Sequence, residues 1–321
     1  MTPRARVFFL VAITAVVASA VVVIGVLATR SNVPSVKPRK GSPPLALDFG
    51  LRTDPEARAL EQAQTLYDRD HEKEHAHQLF ARYDSLEAKV GAAVTAWPSG
   101  TVASLETLAA ENPRSALVAL HLGFALYWSR RVQEAVTAWR TAERLQPDSP
   151  YAVRAADFLH PRFAPGVPVF VPSFKAPLAI RMLTAPRQVT ALEAAARSDG
   201  AGAKILYGVA LQGLGRPRSA EKQFAAAARE EPNDPEARAA AAVGLFDKDN
   251  PSLAFSRLGP LVRVFPHAQT VRFHLGLLLL WIAQVNRARD ELEKARAEAP
   301  NSALGREATL YLQALRKVGT R

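Results

Sequence analysis

The run His71-Glu72-Lys73-Glu74-His75 holds the residue types of a hydrolytic zinc site in one short stretch. Two histidines four apart share a helix face and can hold Zn²⁺ between them, and a glutamate inside the run can activate a bound water. The same residues also fit the inverted order HxxEH. His77 adds a third imidazole, but on another face. The surroundings argue against catalysis. Residues 68–78 read DRDHEKEHAHQ, a polar stretch, whereas a catalytic zinc helix is normally buried, and no third ligand at a suitable spacing follows. The run is therefore expected to be a solvated surface. No metal, cofactor or catalytic residue is assigned, and a metal-dependent hydrolase centred on His71 and His75 is kept as the alternative.

Nothing else in the chain builds a reactive site. There is no cysteine, which excludes disulfides, thiol catalysis and cysteine-ligated metals. Gly213-Leu214-Gly215 lacks the Lys-Ser/Thr continuation of a phosphate loop and falls at a turn between helices. His121, His160, His267 and His274 are expected to be ordinary helix or loop positions.

The elements that would carry such residues are set by a period. Pro232, Pro266 and Pro300 are spaced by 34 residues, and so are Pro113 and Pro147. Counting back from Pro147 gives Ala142, Trp139, Ala135, Leu126, Gly123 and Leu122. The same offsets from Pro232 give Ala227, Phe224, Ala220, Leu211, Gly208 and Tyr207, and from Pro300 they give Ala295, Leu292, Ala288, Leu279, Gly276 and Leu275. From Pro266 they give Leu261, Leu258, Ala254, Leu245, Ala242 and Ala241, so that two alanines replace the large–Gly pair. Each unit reads as two short amphipathic helices. A small residue midway along the first lets the second cross closely, and the proline starts the next unit's turn.

This register resembles the tetratricopeptide repeat family. The likeness is clear over 101–147 and 201–300, and weaker over 54–100 and 148–200. It implies an all-α fold, an α-solenoid of helical hairpins, and a scaffold that holds protein partners rather than an enzyme. It also implies that the first helix of each unit lines a concave surface. At those positions stand Leu117, Leu120, Phe124, Tyr127 and Trp128, then Ile205 and Val209, then Val243 and Phe246, then Phe273, Leu277, Leu280 and Trp281. That surface is apolar and aromatic, suited to an extended hydrophobic peptide or an amphipathic helix, unless the side chains mostly pack against neighbouring helices.

The ends and interruptions of the array read as follows. Residues 1–6 are a basic tail. Residues 7–28 are an uncharged apolar run, long enough for a transmembrane helix through the lipid bilayer. Ala18-Ser19-Ala20 resembles a cleavage site, which keeps a secreted soluble binding protein as an alternative. An uncleaved anchor is preferred, because the mature chain would otherwise begin on Val21-Val22-Val23-Ile24. Counting Arg30, Lys37, Arg39 and Lys40 against Arg4 and Arg6 would keep the repeats in the cytoplasm. The very short two-arginine tail argues for the opposite side, and the expectation leans that way. Of the net charge of +11, residues 1–53 supply +6, so no basic stripe runs through the repeats and nucleic acid is not an expected partner.

Residues 29–53 are expected to be a Pro-rich basic linker, 54–160 a first block of repeats, 161–186 a Pro-rich insert, and 187–316 a second block closed by a capping helix from Ala303 to Arg316. The insert reads FAPGVPVFVPSFKAP at its centre, which neither a helix nor an inner strand tolerates. It either packs on the repeats' own aromatic surface or is a mobile arm offered to a partner. Together these readings describe a membrane-anchored scaffold for protein–protein interaction, of the kind that would serve assembly or quality control of envelope proteins.

Overall fold

The computed structural model describes residues 41–69, 72–198 and 200–319. These form two compact units, one ending at Leu159 and the other beginning at His160.

The first unit runs α1 (Pro55–Tyr67), α2 (Lys73–Phe80), α3 (Leu86–Thr95), α4 (Thr101–Glu111), α5 (Ala116–Trp128), α6 (Val132–Leu145) and α7 (Pro150–Leu159). Starts are fixed by capping. Asp54 accepts the Ala57 N–H at 2.9 Å with Pro55 in the first turn, and Ser85 and Ser115 accept from Ala88 and Val118. The second unit runs α8 (Leu178–Arg181), α9 (Ala185–Ser198), α10 (Ala201–Gly213), α11 (Pro217–Glu230), α12 (Pro235–Gly244), α13 (Ser252–Leu258), α14 (Leu261–Val264), α15 (Gln269–Trp281), α16 (Val285–Glu298) and α17 (Ala303–Gly319). Pro260 splits the second helix of one hairpin into α13 and α14, since a proline has no N–H for the helical ladder. The helix after the insert starts at Ala185, inside the expected insert 161–186, and is preceded by the short α8.

The small residues of the register do their work within each hairpin. A side chain at Gly123 would run into the Trp139 ring, and one at Gly208 into the Phe224 ring. A Cβ at Gly276 would lie 2.8 Å from Leu292 Cγ and 3.3 Å from the Ala288 carbonyl. Gly208→Leu and Gly276→Leu are each expected to destabilise their unit by about 1–3 kcal/mol, read as a lower urea midpoint, because a packed crossing cannot take in added carbons without shifting backbone.

The register has a further member that composition does not announce. The turn between the two helices passes through the left-handed region at Arg130 (φ 66°), Gly215 (φ 65°) and Ala283 (φ 62°), each at the same place in its repeat. The next N–H then reaches back to close the helix end: Arg131 to the Leu126 carbonyl, Arg216 to Leu211 and Gln284 to Leu279, each at 2.9 Å. Only one of the three is the glycine that this conformation favours. Arg130→Gly and Ala283→Gly are expected to stabilise by about 1 kcal/mol each, because a side chain in this region costs about 1–2 kcal/mol and glycine's freedom in the unfolded chain returns part of the gain. Thermal unfolding of the two variants checks this.

Among the described residues, no helix is long and apolar enough to cross a membrane. This corrects the expected single-pass membrane localisation, and with it the leaning towards one side of a membrane. The run 7–28, on which that expectation rested, lies outside the described residues.

Candidate functional site

Two extended segments lie on the helices, one in each unit, and neither belongs to a helix or a strand. In the second unit the segment is the Pro-rich insert. Phe170 is fully buried, stacked on His274 with ring centroids 4.2 Å apart and 5.7 Å from the Phe224 ring. Its backbone is read by side chains. The Phe170 N–H donates to Gln212 Oε1 at 2.9 Å, and Gln212 Nε2 donates back to the Pro168 carbonyl at 3.2 Å. The Val171 N–H donates to His274 Nε2 at 3.0 Å, and the Ser173 N–H to Glu236 Oε1 at 2.6 Å. Lys248 Nζ donates to the Ala164 carbonyl at 2.9 Å and sits 5.8 Å from the centre of the Trp281 ring. A segment spaced by prolines has few N–H groups, and three of those it keeps find a side-chain acceptor.

The first unit repeats the arrangement with residues 42–48, which belong to the expected linker. This stretch does not stand off as a spacer. Pro43, Leu45 and Leu47 are buried, while Ser42, Pro44 and Ala46 between them are half-buried, an alternation of period two. The Ala46 N–H donates to His121 Nε2 at 3.0 Å and the Leu47 N–H to Gln64 Oε1 at 2.7 Å. Tyr67 donates its hydroxyl proton to the Pro43 carbonyl at 2.7 Å, and Lys73 Nζ donates to Ser42 Oγ at 2.7 Å. The Asp48 N–H reaches the Tyr151 hydroxyl at 3.3 Å, and burial holds that phenol's pKa up at about 12.

His121 and His274 sit at one and the same register position and do one and the same job. Each lies within reach of the carbonyl four residues back, Leu117 at 2.8 Å and Thr270 at 2.7 Å, so that its Nδ1 carries the proton and its Nε2 is left to accept. Burial pushes both pKa values down to about 4, although the carbonyl opposes the shift. Glu236 is shifted the other way, upward, by its own burial. The expectation that these two histidines are ordinary helix positions is thus corrected. The signal was present as a repeated string: His121-Leu122-Gly123 with Leu126 and Trp128, and His274-Leu275-Gly276 with Leu279 and Trp281.

The thirteen residues expected to line a concave surface divide between the two units. Leu117, Leu120, Phe124, Ile205, Val243, Phe246, Phe273, Leu277, Leu280 and Trp281 are buried, and Tyr127, Trp128 and Val209 are half-buried. Of the two readings left open, exposure or packing against the chain itself, the burial of ten of the thirteen favours packing. Ile205, Val243, Phe246, Phe273, Leu277, Leu280 and Trp281 share one buried cluster with Phe170 and Ala164. Phe163 meets Phe246 edge-on at 6.2 Å, and Phe246 meets Trp281 at 5.6 Å. Leu117 shares a cluster with Leu45 and Leu47, whereas Leu120 and Phe124 pack with Trp139 and with Ala46 beside them.

Helical hairpins with their small and large residues meeting in register, closed by the same left-handed turn, decide the architecture. The repeats are tetratricopeptide-like. No family model matches the chain, and no curated protein matches it. Solved structures with helical repeats do. One is YrrB, titled a TPR protein with an unusual peptide-binding site, at 17% identity over 65% of this chain and 98% of that one, with a TM-score of 0.32. Another is yeast Tom70, at 13% identity over 93% and 69% of the two chains, with a TM-score of 0.33. A third is the APC/C hetero-tetramer Cut9–Hcn1, at 14% identity over 81% and 56%, with a TM-score of 0.27. With scores this low, the tetratricopeptide-like assignment rests on this chain's own register and hairpins.

His71 lies outside the described residues. Helix α2 begins only at Lys73, with Glu72 as its cap. His75 is exposed and faces Glu72 at 3.7 Å, while His77 turns to α3, 2.9 Å from Thr95 Oγ1 and 3.1 Å from the Ala92 carbonyl. Among the described residues no group of three His, Cys, Asp or Glu side chains is placed to hold a metal ion.

Proposed function

We infer that this chain is a scaffold that binds a protein partner through an extended peptide, with no reaction of its own. The observation that carries this is the chemistry of the two covered surfaces. In each unit a tetratricopeptide-like helix face meets an extended, proline-bearing, apolar segment and reads its backbone with a buried His and with a Gln that is half-buried in the first unit and buried in the second. Side chains that recognise backbone N–H groups, with apolar pockets at alternate positions, are the means by which extended peptides are bound in general. The partner peptide would carry prolines together with leucine, valine or phenylalanine, and would be neutral where it passes the histidines.

An array of ten-residue peptides probed with the full chain tests this. Peptides that combine proline with large apolar residues at alternate positions are expected to be retained, and acidic or helix-forming peptides are not. Retention of none, by the full chain and also by a variant whose extended segments are loosened, would remove the peptide-binding role. Retention of acidic peptides alone would put the site on another face.

A further inference from the structure

The two extended segments are not held alike. Four side chains bond the backbone in each, Gln212, His274, Glu236 and Lys248 in the second unit and Gln64, Tyr67, His121 and Tyr151 in the first, but only in the second is a large side chain, Phe170, fully buried under two aromatic rings. In the first unit the anchors are Leu45 and Leu47, smaller side chains that keep 6% and 7% of their surface exposed. No aromatic side chain occurs in residues 41–48. Their link to α1 bends at Gly50, where φ is +55° and Asp48 Oδ1 accepts the Gly50 N–H. Between the segment and α1 stand Phe49, half-buried against the same cluster, and Gly50, so that no helix lies in the stretch that has to lift. What it uncovers is a complete reading surface: His121 Nε2 and Gln64 Oε1 as acceptors, the Tyr67 hydroxyl as donor, and the pockets of Leu45 and Leu47.

We propose that residues 42–48 are a resident ligand of the first unit, exchanged for an extended partner peptide that carries proline and leucine at alternate positions. The occupant's chemistry is given by what lies there now. Pro43, Leu45 and Leu47 point in at every second residue, and the bonds to Ala46 and Leu47 are to the backbone, which any sequence of that pattern supplies. The exchange makes partner binding conditional, because the incoming peptide competes with a tethered copy of its own kind. Apparent affinity then falls in proportion to the fraction of time the surface stands open. This presupposes the peptide-binding role proposed above and adds its regulation.

Two measurements test it. In the full chain, the Ala46 and Leu47 amides are expected to exchange with solvent at least about tenfold faster than the central amides of α5, as in a local opening. Equal rates would mean that the segment opens only with the whole unit, and would overturn the exchange even if the peptide array succeeds. The double variant Leu45→Ser, Leu47→Ser should bind a fluorescein-labelled peptide of residues 41–52 at least about tenfold more tightly than the native chain does, by the same occupancy argument. Adding His121→Leu should remove that gain. Binding no tighter than native overturns the proposal, and if the double variant does not fold, the amide comparison decides by itself. An array on which neither the native nor the opened chain retains a peptide would defeat the binding role instead.

Discussion

Truncating Phe170 to alanine is expected to cost the second unit about 3–5 kcal/mol, as for other fully buried aromatic side chains. Phe170 has no exposed surface and lies between the His274 and Phe224 rings. Its loss would empty the centre of a cluster that also holds Ile205, Val243, Phe246 and Trp281. Four residues away Phe174 is 37% exposed, and Phe174→Ala should cost less than about 1 kcal/mol. The contrast separates two views of the insert. As a mobile arm it would make both substitutions mild. As a core element it makes only the first severe. Urea unfolding of the full chain, with the two units' transitions resolved, is the measurement, and a loss below about 1 kcal/mol for Phe170→Ala would show the insert to be dispensable for folding.

The second large effect is on pH. His121 and His274 have folded-state pKa values of about 4, against 6.5 for a solvated histidine. Between those values the unfolded chain binds protons that the native chain refuses, so stability falls as the solution is acidified. Each histidine is expected to cost its unit about 1.5 kcal/mol between pH 6.5 and pH 5, and more down to pH 4. The structural reason is direct. Protonation would place an Nε2–H against the Ala46 or Val171 N–H, two donors facing each other. In the second unit the Glu236 carboxyl, shifted upward by burial, takes up its proton more readily when folded and offsets part of the loss at the acid end. His121→Leu with His274→Leu should flatten the profile between pH 6.5 and 5. The same variant should be less stable at pH 7, by about 1 kcal/mol at each site, because a half-buried N–H loses its acceptor. Urea midpoints across pH check both limbs, and an unchanged acid slope in the double variant would move the effect to other groups.

The repeat architecture was legible in the chain because its determinants are local and periodic. Gly123 with Trp139, Gly208 with Phe224 and Gly276 with Leu292 meet inside one hairpin, a short distance along the sequence, and recur at a fixed interval. A terminal helix from Ala303 followed from the same register. The left-handed turns at Arg130 and Ala283 did not show, since neither residue carries the glycine signal that Gly215 does.

The candidate site was decided by tertiary structure. Residues 42–48 pass by composition for part of a linker, and 163–174 for an insert either packed or mobile. What pins them is contact with residues far along the chain: Ala46 with His121, Val171 with His274, Ser173 with Glu236 and Ala164 with Lys248. Sequence alone fixed which helix faces are apolar, because that follows from spacing within one element. It left open whether the insert would fill those faces and did not raise it for residues 42–48, because the partners of a backbone N–H are chosen by the fold and leave no mark on the residue that bears it.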